Sequence, residues 1–138
     1  MNLTGRSISK GTAEGELLKT DTPISFLGGV DPRTGVIIDA AHPLAGQKIT
    51  GKVLAFPYGK GSPVGSYVLY ALSRNGTAPA AVINTECETI IAIGAIIAGI
   101  PAVDRLEGDL PENEIVAPDI LRAILEAEMT QIFSEKFK

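Results

Sequence analysis

The chain has 138 residues, 45% hydrophobic and 20% charged, and a formal net charge of −4. That length and apolar content give one domain with its own core and exclude a disordered chain. Scattered basic residues under a net negative charge exclude a nucleic-acid stripe and a hold on acidic membrane surfaces.

The opening stretch MNLTGRSISKG lacks an apolar core and does not read as a signal peptide. The first fifty residues alternate short β-like pieces with turns: RSISKG, GELLKT, PISFLGGVDPRTG, VIIDAAHP and QKITG. Gly28-Gly29, Asp31-Pro32, Thr34-Gly35 and Gly46 are the breakers. From Lys52 the pattern becomes a βα alternation. Lys52–Phe56 reads as a buried strand and Pro63–Arg74 as a helix, with Val64, Val68, Ala71 and Leu72 on its inner face and Asn75-Gly76 as its stop. Ala80–Asn84 reads as a second buried strand, Glu88–Ala98 as an apolar helix ending at Gly99, and Pro101–Asp104 as a third strand. After the acidic turn EGDLPENE, a strand at Ile115–Ala117 leads to a final helix from Asp119, with an apolar stripe of Leu121, Leu125, Met129, Ile132 and Phe133. The apolar run Ile90–Val103 is too short for a bilayer span and contains Gly94, Gly99 and Pro101. A lone Cys87 allows no internal disulfide, which fits a cytoplasmic protein. With no repeat or linker, residues 1–138 form a single α/β domain, β-rich in front and βα-alternating behind, of β/β/α type.

Two glycine-rich loops carry the chemistry. The first, GKGSPVGS (Gly59–Ser66), follows a strand and opens a helix, the place where α/β units bind ligands. Ser62 before Pro63 is a favoured helix cap followed by a favoured first residue, and that structural role is sufficient by itself. The same position also suits anion binding, because Gly61 and the helix N-terminus expose backbone N–H groups, with Lys60 alongside. Both roles stay open. The order Gly-Lys-Gly-Ser lacks the spacing of a nucleotide-binding P-loop. In the second loop, LGGVDPRTG (Leu27–Gly35), Gly28 and Gly29 permit close backbone approach, and Arg33 is either an exposed turn residue or part of an anion site. Ser66, one helical turn beyond Ser62, reads as a neutral position. His42 reads as structural. Cys87, flanked by Glu86 and Glu88, cannot hold an iron–sulfur cluster alone, and no zinc spacing occurs, so this chain is expected to bind no metal.

The stretch PISFLGGVDPRTGVIIDAAHPLAGQKITGKVLAFPYGKGSPVGSYVL, with APAAVIN and GIPAV further on, resembles the small subunit of the aconitase X family. The likeness covers most of the chain but supplies no motif after Asp119. It implies a swivelling β/β/α domain like the mobile domain of aconitase. It also implies a heterodimer with a large subunit that carries a [4Fe-4S] cluster. The implied reaction dehydrates (R)-5-phosphomevalonate, a phosphorylated hydroxy acid, to trans-anhydromevalonate 5-phosphate in the archaeal mevalonate pathway of isoprenoid biosynthesis. Ser62 falls on the family's proton acceptor, and Lys60, Gly61, Arg33, Gly28 and Gly29 become candidates for holding substrate anions. Aconitase follows its serine with Ser-Arg, whereas this chain has Pro63-Val64, so charge supporting an alkoxide has to come from Lys60, Arg33 or the partner. Within the family, dehydration of cis-3-hydroxy-L-proline is the alternative. From other classes, a phosphocarrier would need a phosphate-poised histidine, and a regulatory module would bind anions by itself.

Overall fold

Val53–Phe56 and Ala81–Asn84 are buried along their whole length, without the alternation of a half-exposed strand. That pattern belongs to strands covered on both faces. In the computed structural model, which describes residues 4–107, these segments are β4 and β6, two of the three inner strands of a five-stranded sheet. Its order is β1 (Thr4–Ser9), β7 (Ala102–Glu107), β6, β4 and β2 (Leu17–Lys19). β2, β4, β6 and β7 run parallel, and β1 closes the edge antiparallel to β7. A second, two-stranded sheet pairs β3 (Ile24–Ser25) with β5 (Gly59–Lys60), also in parallel. A single turn, α1 (Phe26–Gly29), follows β3, and the two long helices are α2 (Gly65–Arg74) and α3 (Thr89–Ala98).

Alternate residues of the strands feed two apolar clusters. Leu54, Phe56, Val82 and Ala102 meet Leu69 and Leu72 of α2 and Ile91 and Ala95 of α3. Leu17, Val53, Ala55, Ala81, Ile83 and Val103 form the other cluster, packed against Ala13 and Leu106. α2 and α3 lie side by side because the contact is built from small residues. A Cβ on Gly94 would sit 2.5 Å from Leu69 Cδ1 and 3.2 Å from Ser66 Cα. Ser66 Oγ donates to Ile90 O at 2.7 Å and Ser73 Oγ to Ala98 O at 2.9 Å, which fixes the register of the two helices. α3 is closed at its front by the Glu88 carboxylate, which accepts from Ile90 N and Ile91 N, and at its end by left-handed Gly99.

Three expectations from the sequence need correction. α2 starts at Gly65, and its buried residues are Gly65, Ser66, Leu69 and Leu72, whereas Val64 is 47% exposed. The close approach of α3 demands small residues in the inward first turn, so Val64 drops out of the expected stripe, while Leu72 is buried and Val68 packs against the core. Ser66 is for the same reason a buried, bonded residue and no neutral position. In the front half only β1, β2 and β3 are strands. VIIDAAHP and QKITG make isolated bridges, Val30 with Ile37 and Val36 with Lys48, while Val30, Ile37, Leu44 and Ile49 join the core beside α2 and α3. The expected strand at Ile115–Ala117 and the helix from Asp119 lie outside the described residues.

Candidate active site

The turn after β5 is shaped by its glycines and its serine. Gly61 has φ +88°, a conformation that L side chains rarely adopt. Ser62 Oγ accepts the Val64 N–H at 3.2 Å, Ser62 O accepts Gly65 N–H at 2.9 Å, and Pro63 O accepts Ser66 N–H at 3.1 Å. Ser62 therefore caps a tight lead-in turn to α2, and that bond uses one of its oxygen lone pairs while the residue stays half-exposed. Lys60 beside it is exposed and forms no ion pair among the described residues.

Pairing of β3 with β5 sets Ser25 opposite Lys60 and delivers the first glycine loop to the same place. In α1 the angles of Leu27 (φ −71°, ψ 116°) and Gly28 (φ 82°, ψ −13°) are those of a type II turn, which needs glycine at its third position. A Cβ on Gly65 would lie 3.7 Å from Phe26 Cβ and 3.8 Å from Leu27 N, so this turn abuts the start of α2. Gly28, Gly29, Lys60, Gly61 and Ser62 thus meet at one end of α2.

Arg33 does not join them. Its turn is held by Asp31, whose Oδ1 accepts Arg33 N–H at 2.9 Å, and Pro32 O accepts from Asn75 Nδ2 and Thr77 Oγ1 at 3.0 and 2.7 Å. Asn75 and Thr77 follow the last turn of α2, so the ten-residue helix, about 15 Å long, separates Arg33 from Ser62. The Arg33 side chain is 88% exposed, 4.0 Å from Asp31. Residues that are neighbours in the loop are thus sent to opposite ends of a helix.

Behind the site an ion-pair network fixes the start of α3. Fully buried Asp104 accepts Arg6 Nε at 2.9 Å, Arg6 Nη2 at 2.7 Å and the Cys87 backbone N–H at 2.6 Å. Glu86 pairs with Arg105, and that hydrogen bond holds the carboxyl below its ordinary range. The α3 cap reaches the GKGS loop directly, since a Cβ on Gly59 would meet Ile91 Cγ1 at 2.5 Å and Glu88 Oε1 at 2.7 Å. Asp104 escapes a reading of the sequence, although an acid closing the apolar run PAV is itself a sign of a buried partner. Ser25 escapes it too, and no local signal marks it, because its place depends on the β3–β5 pairing.

His42 is buried, with Nδ1 accepting Leu44 N–H at 3.0 Å and Nε2 3.4 Å from Thr22 O, which removes the nucleophile a phosphocarrier requires. Cys87 is a poor metal ligand: burial, then nearby Asp104 and Glu88, push its thiol up to about 12. Among the described residues no three ligating side chains come together. A cleft of about 490 Å³ lies at the ends of β2, β4 and β6, lined by Lys19, Thr20, Pro57, Asn84 and Arg105, and does not include Ser62. No described helix is long and apolar enough to cross a membrane.

The family profile described as the aconitase X swivel domain matches residues 2–128. The chain belongs to this family. Among relatives of this swivel domain, a protein of Methanosarcina acetivorans named phosphomevalonate dehydratase small subunit is 61% identical over 107 residues, 78% of this chain and 74% of its own length. One of the same name from Pyrococcus furiosus is 55% identical over 130 residues and is covered over 97% of its length. The crystal structure of aconitase X from Thermococcus kodakaraensis in its holo-form superposes with a TM-score of 0.76 at 54% identity, covering 82% of this chain and 85% of the other. The mixed α/β architecture described above is therefore that of the aconitase X swivel domain.

Proposed function

We propose that this swivel domain is the small subunit of a phosphomevalonate dehydratase, a hydro-lyase that removes water from (R)-5-phosphomevalonate to give trans-anhydromevalonate 5-phosphate. Identities of 55% and more to relatives of that name carry this reading. They favour phosphomevalonate over a hydroxyproline substrate. The name also brings a large subunit as partner, and we place the pair in the cytoplasm. Leu27, Ile38 and Val64, all about half exposed, stand beside the two glycine turns as an apolar rim for that partner to cover.

Ser62 is the proton acceptor in this reading. Loss of water breaks a C–O bond and the C–H bond beside it, so a base has to stand at the carbon that loses its proton. The Ser62 oxygen already accepts Val64 N–H at the mouth of α2, where the helix N-terminus favours a developing negative charge. Lys60 adds a cation on the adjacent strand. When bound in the large subunit, a [4Fe-4S] cluster supplies Lewis-acid chemistry for the leaving hydroxyl. This chain contributes the base, the bare glycine backbone against which substrate lies, and closure against water.

The test uses the reconstituted two-subunit complex. A Ser62→Ala complex should assemble and bind substrate, lose a factor of about 10²–10⁴ in dehydration rate, and cease exchanging the abstracted proton with deuterated solvent. Loss of the cap alone costs about 1 kcal/mol and leaves turnover intact. Wild-type turnover in an assembled Ser62→Ala complex would return Ser62 to a purely structural role.

A further inference from the structure

Ser25 brings a second hydroxyl, besides that of Ser62, to the two glycine turns. It ends β3 directly opposite Lys60 of β5. The next residue of the opposing strand, Gly61, passes so close that a Cβ on it would overlap Ser25 Oγ. On the other side, a Cβ on Gly29 would reach Ser25 Cβ at 4.0 Å and Asp39 Cβ at 3.9 Å. Ser25 is thus flanked by glycines from both loops and remains half-buried.

Its hydrogen bonding is weak for a group in that position. Ser25 Oγ donates to Leu27 O at 3.3 Å, beyond the usual O–H···O range, and makes no cap bond to the turn that follows. Both oxygen lone pairs are unused among the described residues, and the donated proton is exchanged for a better acceptor at little cost. A β-branched or larger residue would press on Gly61. Serine is the small donor that fits.

We infer that Ser25 contacts the substrate, donating its O–H to an anionic oxygen (carboxylate or phosphate) of the molecule that Ser62 deprotonates. The inference rests on the reading of Ser62 as the base. Lys60, opposite Ser25 in the ladder, supplies the matching positive charge, and Gly61 carries the chain from this donor to the base. Ser25 binds and orients, and Ser62 takes the proton.

The experiment compares Ser25→Ala, Ser25→Cys and Ser62→Ala in the assembled complex, with phosphomevalonate as substrate and inorganic phosphate as a competing anion. Losing a hydrogen bond to a charged group should raise KM for Ser25→Ala about 10- to 100-fold, with kcat less affected and solvent proton exchange retained. The Ser25→Cys complex keeps the shape with a poor donor and should show a raised KM at an unchanged melting temperature. A shifted inhibition constant for phosphate assigns the contact to the phosphate end, and an unchanged one assigns it to the carboxylate. If Ser62→Ala abolishes exchange while both Ser25 variants keep wild-type KM, the Ser25 contact is wrong and the base stands. If Ser62→Ala turns over normally, the underlying reading has failed first.

Discussion

Gly61 shows how one missing side chain serves both backbone and site. Its φ of +88° strains any L residue by about 1–2 kcal/mol, and its open face is occupied by the Ser25 hydroxyl. Gly46 has nearly the same φ, +84°, with nothing within 4 Å of the place a methyl group would take. Urea titration of Gly46→Ala should therefore report strain alone, and Gly61→Ala should cost a further 1–3 kcal/mol, roughly, from overpacking. Equal midpoints for the two would mean that the Ser25–Gly61 contact relaxes freely. Ser66→Ala, which leaves Ile90 O without its 2.7 Å partner, should lose about 1 kcal/mol in the same assay. Arg33→Ala removes an exposed side chain remote from Ser62, so the melting temperature should hold. Its effect on turnover in the complex should be smaller than that of Lys60→Ala. A larger effect would mean that the substrate extends along α2.

At the level of elements, the strands of the βα half and the limits of α3 are legible in the sequence because local chemistry writes them. Ala81–Ile83 is a solid apolar run, and Glu88 and Gly99 bracket α3 as cap and left-handed stop. The inner face of α2 is legible only in part: Val68 and Leu72 are read correctly, but Gly65, Ser66 and Leu69 are missed. It depends on which neighbour approaches, and Gly94 lets α3 come within reach of Ser66 and Leu69. The glycine loops look like one cluster because sequence shows their composition, whereas Asn75 and Thr77 pull the Pro32–Arg33 end away. The turn between β6 and α3 offers a pH test. Cys87, raised from 9.0 to about 12 chiefly by burial, is protonated in the fold while an unfolded thiol ionises near 9. The folded state then holds the extra proton between those values, so the Cys87 contribution to stability is intact below pH 9 and falls as pH rises toward 12. Denaturation midpoints of wild type and Cys87→Ala, compared at about pH 8 and pH 10.5, should converge toward the higher pH. Iodoacetamide at about pH 8 should modify Cys87 slowly unless the chain is unfolded, and rapid labelling of the native protein would contradict a buried, neutral thiol.

For the molecule as a whole, the site is half of something. The sequence supplies the proposed base, a lysine and glycine-lined walls, and these gather at the mouths of α2 and α3, where Asp104, Arg6 and Glu88 hold the backbone in place. Cys87, the sole cysteine, is turned toward its neutral form with its sulfur 3.6 Å from Glu88 O, and the proposed reaction assigns its cluster to the large subunit. In that proposal the apolar rim of Leu27, Ile38 and Val64 is the seam between the chains, because exposed aliphatic side chains gain most by leaving water together. Three measurements follow from this division. The isolated chain, purified without oxygen and supplied with iron and sulfide, should contain no stoichiometric iron and no visible absorbance, and Cys87→Ala should leave the activity of the complex unchanged. Replacing Val64 with aspartate should weaken association with the large subunit by at least about tenfold, read by titration calorimetry or sedimentation, while the isolated chain keeps its melting temperature, since Val64 is already 47% exposed there. A cluster assembled on the lone chain would overturn the two-chain division, and undiminished association of Val64→Asp would move the seam to another face of the domain.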